Sequence, residues 1–179
     1  MDLYALAQAL EASPLGSTIR DSILLLPIIN ALHIVAVILV FGTISIVDLR
    51  LLGIPHVRRS LSLISREMLW WTWAGFVLAI GTGMLMFAAN ATTFFNNNEF
   101  RWKMVAIALA GVNMMIFELI TARRAHEWDK DLPVSFAGKL AGALSLTFWI
   151  AAIFLGRWIG YTKGFDFAMP ADFDIDALF

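Results

Sequence analysis

An all-α fold, a four-helix transmembrane bundle running up-down-up-down, is what this sequence predicts, and three observations carry the prediction. Four apolar runs stand out: Ile23–Val47, Met68–Ala89, Met104–Ile120 and Leu140–Ile159. Each has about the 17–25 residues with which an α-helix crosses a hydrocarbon core of ~30 Å. The composition agrees: of 179 residues 60% are hydrophobic and 15% charged, with a mean hydropathy of +0.77, far from a soluble average. Third, small residues recur every four positions, as helices that pack closely in lipid require. Backbone groups in lipid must satisfy one another, so runs of this length are helices. The spans are expected at about 22–48, 67–90, 102–122 and 137–161, and together they leave room for one domain over residues 1–179.

Ahead of the first span, Leu3, Leu6, Ala7 and Leu10 follow helical spacing. This predicts a short amphipathic helix lying in the membrane interface and ended by Pro14 and Gly16. Asp2 stands where a signal peptide carries basic residues, so no cleavable leader is expected. In the first span, Pro27 removes a backbone donor and predicts a bend. The second span opens on Trp70, Trp71 and Trp73, and Trp102 and Trp158 flank the third and fourth. These tryptophans read as the aromatic belt at the water interface, not as a cofactor box. Gly75, Ala79 and Gly83 line one face of the second span, Ala106 and Ala110 one face of the third. Gly138 with Gly142, and Ala137 with Ala141 and Ser145, do so in the fourth.

Orientation follows from the loops. The loops after the first and third runs contain 8 of the 13 basic residues, among them Arg50, Arg58, Arg59, Arg66, Arg123 and Arg124. The positive-inside rule places both loops in the cytoplasm and both termini outside, in the periplasm of a bacterial inner membrane. The acidic, aromatic C-terminal tail with Asp166, Asp172, Asp174 and Asp176 reads as a partner-facing segment or as a solvated tail. A net charge of −1 offers no general attraction to nucleic acid, and none is expected as a partner. The absence of cysteine excludes disulfides, thiolate metal sites and thiol chemistry.

Polar groups inside an apolar run are the functional leads in such a chain. His33 is the one histidine placed deep in a run, near mid-bilayer on this reading, and Asn30 lies three residues before it on the same face. Three uses stay open for His33: a core histidine hydrogen-bonded to a neighbour such as Asn113, an axial ligand to a haem or chlorophyll-type metal, or a proton relay. Asn30 and Asn113 are then the expected supporting side chains of a cofactor site. Near the cytoplasmic ends, Asp48, Arg50, Glu67, Glu118, Arg123 and Arg124 form a charge cluster, read as a structural rim with snorkelling arginines or as a way in for protons or substrate. No catalytic, nucleotide-binding or metal-binding motif is present, so no catalytic residue or metal site is assigned. Internal repeats of the transporter kind are not evident.

The segments INALHIVAVILVFGTISIVDLRLLGI, FRWKMVAIALAGVNMMIF and LSLTFWIAAIFLGRWIGY resemble an uncharacterised family of bacterial four-helix inner-membrane proteins, with DLRLLG and GRWIGY the more specific pieces. More distantly, a histidine in the first helix and a lysine opening the third resemble the copper-resistance D family and the membrane-type protoporphyrinogen oxidase. That resemblance implies haem b held by histidines inside a bundle, with His33 and Lys103 in the matching places. Those relatives carry a further histidine on the third helix, where this chain has Asn113 and Glu118.

The first functional expectation is therefore a non-catalytic membrane subunit of a larger bacterial electron-transport or light-energy complex, holding one tetrapyrrole through His33. Its partners are the lipid bilayer, with bound lipids expected, and other membrane subunits met through the transmembrane faces and the two tails. The rivals are a stand-alone haem b redox protein or oxidoreductase, and a small transporter or channel with a polar path along Asn30, His33 and Asn113.

Overall fold

Short polar residues set the boundaries of the helices, and they do so locally. Asp2 accepts from the Tyr4 amide at 3.3 Å and opens helix α1 (Leu3–Glu11). Ser13 closes α1 by donating to the Leu10 carbonyl at 2.6 Å, and it opens α2 (Pro14–Asp21) by accepting from the Gly16 amide at 3.2 Å. Pro14 takes the first helical position, where a missing N–H costs nothing. Pro14 and Gly16, expected to stop one helix, thus begin a second. Ser22 accepts from the Leu25 amide at 3.2 Å, ahead of α3 (Leu25–Leu51). Gly53, at φ +84°, ends α3 with hydrogen bonds from Gly53 N to Arg50 O and from Ile54 N to Leu49 O. That is the left-handed glycine stop of the DLRLLG piece.

The computed structural model describes residues 2–54, 61–117 and 134–162, with the backbone alone for 61–67. Secondary structure among them is helical throughout, with α4 (Leu61–Ala89), α5 (Ala91–Asn96), α6 (Asn98–Ile116) and α7 (Phe136–Thr162) completing the set. Three helices are long and apolar enough to cross a membrane: α3, the Met68–Ala89 part of α4, and α7. The third predicted run falls on α6, which opens with Glu99, Arg101 and Lys103 within its first two turns and is described for 19 residues. The end of that run, from residue 118, lies outside the described residues. Pro27 does not interrupt α3. It sits in the first turn, where its nitrogen has no intrahelical acceptor to lose, so the expected bend has no cause.

α3 lies against α4, α6 lies against α7, and α3 meets α7. The directions can be read from paired levels. A β-carbon at Gly75 would fall 2.8 Å from Val40 Cγ2, and one at Gly83 would fall 3.3 Å from His33 Cε1. Moving forward on α4 therefore means moving back on α3, and the pair is antiparallel. Lys103 beside Gly156 and Asn113 beside Ala141 make α6 and α7 antiparallel in the same way. The small-residue faces are the contact faces: Gly75, Ala106, Ala110, Gly138 and Gly142 are buried. Phe76 meets Trp149 of α7 at 5.5 Å between ring centres, and Phe87 and Phe94 gather on Phe100 at 5.7 and 5.1 Å.

The outward surfaces are apolar. Ile38, Val77, Ile80, Ile150 and Phe154 are exposed, as are Trp70, Trp71, Trp73, Trp102 and Trp158. Helices apolar on all sides, with large residues turned outward, are surrounded by something other than water. The N-terminal helices fold back onto this frame. Gly16 packs so tightly that a β-carbon would lie 2.7 Å from the Ala88 carbonyl of α4. Glu11 Oε2 accepts from the Thr92 hydroxyl at 2.6 Å and from its amide at 2.8 Å, giving α5 the cap that Asn90 does not provide. These bonds from the Thr92 hydroxyl and amide, with a smaller pull from Arg20, hold the Glu11 carboxyl below the usual carboxylate range against the opposing effect of burial. The C-terminal tail from residue 163, with its four aspartates, lies outside the described residues.

Candidate functional site

His33 sits on α3, half-buried against α4. Its Nδ1 lies 3.1 Å from the Ala79 carbonyl oxygen and 3.0 Å from Thr82 Oγ1. A carbonyl oxygen can only accept, so Nδ1 carries the proton and donates. Thr82 gives its own proton to the Leu78 carbonyl at 2.6 Å, which leaves a hydroxyl lone pair for the same imidazole N–H. The tautomer follows from these partners. Nε2 holds the free lone pair, and no described residue hydrogen-bonds to it. Gly83 makes the arrangement fit, since a β-carbon there would press on the ring at 3.3 Å.

Lys103 of α6 completes this level. Its stem lies along Gly156 of α7, where a β-carbon would come within 3.4 Å of both Cε and Nζ. It is half-buried, close enough for its charge to act on the imidazole, and makes no ion pair or hydrogen bond with a described residue. The Lys103 ammonium, without a partner among the described residues, thus lies within electrostatic reach of the imidazole. Among the described residues no group of three or more His, Cys, Asp or Glu side chains comes together to hold a metal ion. What the level offers is one nitrogen ligand and one cation.

The two expected supporting side chains are elsewhere. Asn30 is exposed, turned away from the bundle, and makes no hydrogen bond with a described residue. Three residues of separation place it beside His33 on the helix surface, but the packed stripe of α3 is narrow and leaves it outside. Asn113 donates from Nδ2 to the Ala141 carbonyl at 2.9 Å. It ties α6 to α7 about 15 Å along the helix from the level of Lys103. The polar path along Asn30, His33 and Asn113 is therefore not assembled among these residues. His33 itself stands about 12 Å from the start of α3, in its first third rather than at its middle.

Two members of the charge cluster are described. Asp48 lies three residues from the end of α3 and is buried, 5% exposed, packed against α7 where a β-carbon on Gly142 would lie 3.0 Å from the Asp48 carbonyl. The Ser145 hydroxyl reaches its carboxyl. Arg50 is half-buried on the same helix. The side chain of Glu67 and all of Glu118, Arg123 and Arg124 lie outside the described residues. The partners that sequence reasoning missed are Ala79 and Thr82 for His33, and Ser145 for Asp48. A threonine set between glycines in the run AIGTGML was a visible signal for the first. A backbone carbonyl as partner has no sequence signal at all.

The chain belongs to the family of unknown function DUF6644, whose model matches residues 21–162. The match spans α3 to α7 and leaves α1 and nearly all of α2 outside it. No curated protein and no solved structure shows significant similarity to the chain.

Proposed function

From membership in a family without an assigned role, we propose that this protein is a non-catalytic integral-membrane subunit of a bacterial electron-transport or light-energy complex, holding one tetrapyrrole through His33. One observation carries the reading. The Nδ1–H of His33 is spent on the Ala79 carbonyl and Thr82, which orients the ring and leaves a basic Nε2. That is the form in which a histidine serves as an axial ligand, with its other nitrogen fixed by a carbonyl partner. The Lys103 ammonium, without a partner among the described residues, fits the propionate groups that a haem carries. When bound, the group would supply one-electron or light-absorbing chemistry.

The reading includes the arrangement in the membrane. α6 is the fourth span and joins α3, α4 and α7 in an up-down-up-down bundle. The antiparallel pairing of α3 with α4 and of α6 with α7 supports it. The arginine-rich loops face the cytoplasm and both termini face the periplasm, with α1 and α2 at the outer interface. Reporter fusions after Arg59 and after Phe179 should give opposite sides, and a cytoplasmic signal at Phe179 would reject this topology.

The functional test is an absorption spectrum of the protein purified from its native membrane, together with mass spectrometry of the chains that come with it. The expected result is a Soret or chlorophyll-type band that His33→Ala abolishes, in the company of other membrane subunits. A pure, folded native protein with no absorbance above 350 nm, on the order of where tetrapyrrole bands begin, would overturn the reading.

A further inference from the structure

α3 carries a second buried polar group, and it lies far from His33. Among the described residues, Asp48 Oδ2 is buried without a hydrogen-bond partner, and so is Ser45 Oγ, three residues earlier on the same face of the helix. Native proteins rarely leave such atoms unpaired, because each then carries its full desolvation cost, largest for a charged group. Other polar residues of this helix are not treated in this way. Thr43 donates to the Leu39 carbonyl at 2.9 Å and accepts from Thr72 at 2.8 Å. The unpaired atoms are therefore local to Asp48 and Ser45, at the crossing with α7 where Ser145 also faces the carboxyl.

We propose that Asp48, Ser45 and Ser145 hold a monovalent cation of the sodium class between α3 and α7. The argument rests on charge, distance and ligand type. One carboxylate with hydroxyl oxygens balances a single positive charge. Hard cations of this size take oxygen ligands at about 2.3–2.6 Å. One ion can therefore join oxygens that are not hydrogen-bonded to each other, as Asp48 Oδ2 and Ser45 Oγ are not. A proton on the carboxyl would neutralise Asp48 but would leave the Ser45 oxygen unpaired. Gly142 brings the two backbones together beside the site. Its place at the end of α3 opposite to His33 separates it from the tetrapyrrole reading, and either can fail without the other.

Thermal unfolding of the full-length protein in detergent tests the site, with sodium, lithium, potassium and choline chlorides at equal ionic strength. Sodium is expected to raise the midpoint in a saturable way, lithium less so, and potassium and choline not at all. Asp48→Asn should unfold at one midpoint in all four salts. Should that variant fail to fold, Ser45→Ala serves in its place, and its half-saturating sodium concentration should rise roughly tenfold for the loss of one oxygen ligand. Equal midpoints of the parent protein in sodium and choline would overturn the proposal. So would a sodium response that survives unchanged in Asp48→Asn or Ser45→Ala, or a midpoint that depends on pH but not on sodium, which would make the occupant a proton.

Discussion

His33 and Asp48 stand about 22 Å apart along one helix, each against a glycine of a neighbouring helix, and their surroundings are opposite. At His33 the glycine admits the ring to the backbone of α4, where the Ala79 carbonyl and Thr82 take its proton. At Asp48 the glycine brings α7 so close that backbone meets backbone, and one carboxylate oxygen is sealed in without a partner among the described residues. The same small residue thus satisfies one polar group and strands another. What decides is the atom facing the glycine. At Gly83 it is the edge of a side chain that can shift. At Gly142 it is the Asp48 carbonyl, which cannot shift without moving α3.

The largest expected effect tests that distinction. Gly142→Leu should prevent folding or cost about 3 kcal/mol or more, and Gly75→Leu nearly as much, because a rigid crossing has no room to yield. Gly83→Ala should cost less, about 1 kcal/mol, since the imidazole can give by a few tenths of an ångström. Gly81, with nothing within 4 Å of an added β-carbon, should accept leucine within about 0.5 kcal/mol. Thermal unfolding of the four variants checks the ranking, and a Gly142→Leu protein as stable as Gly81→Leu would break the comparison.

His33→Ala comes next. Loss of its interhelical hydrogen bonds should cost about 1–2 kcal/mol, alongside the loss of absorbance set out above. Thr82→Val should cost under about 1 kcal/mol, since the Ala79 carbonyl remains to accept. If Thr82→Val proves as costly as His33→Ala, the carbonyl is not the partner that fixes the ring.

A third carboxylate or imidazole level sharpens the contrast from outside the bundle. Glu11, unlike Asp48, has both a hydroxyl and an amide donor in Thr92. Its carboxyl is held below the usual range, so the unfolded chain binds its proton more readily than the folded one. The stability it contributes is full above the ordinary carboxylate value of 4.5 and is lost as pH falls through the depressed folded value. Limited proteolysis should find residues 2–21 protected at pH 7 and released on acidification. Glu11→Gln should release them already at neutral pH, for about 1 kcal/mol. Protection that persists unchanged in Glu11→Gln would assign the docking to Gly16 and to Ile19, which is buried with Ile29 and Ala89.

The sequence alone determined the helical class, the three longest spans to within a few residues, the outward tryptophans and the glycine faces. All of these follow from patterns local to a helix: length, hydropathy and four-residue spacing. It also singled out His33, because a lone imidazole in an apolar run is visible without any contact. It misjudged Pro14, Gly16 and Pro27, where a turn boundary depends on one capping hydroxyl or a shift of two residues. Only the tertiary structure decided that Asn30 faces outward and that Asn113 serves α7. It alone placed the Asp48 side chain inside the packing of α3 against α7. Those outcomes depend on which neighbouring helix a stripe meets and on how closely a glycine lets it approach. One partner of His33 is a backbone carbonyl, which every residue carries and no sequence can mark.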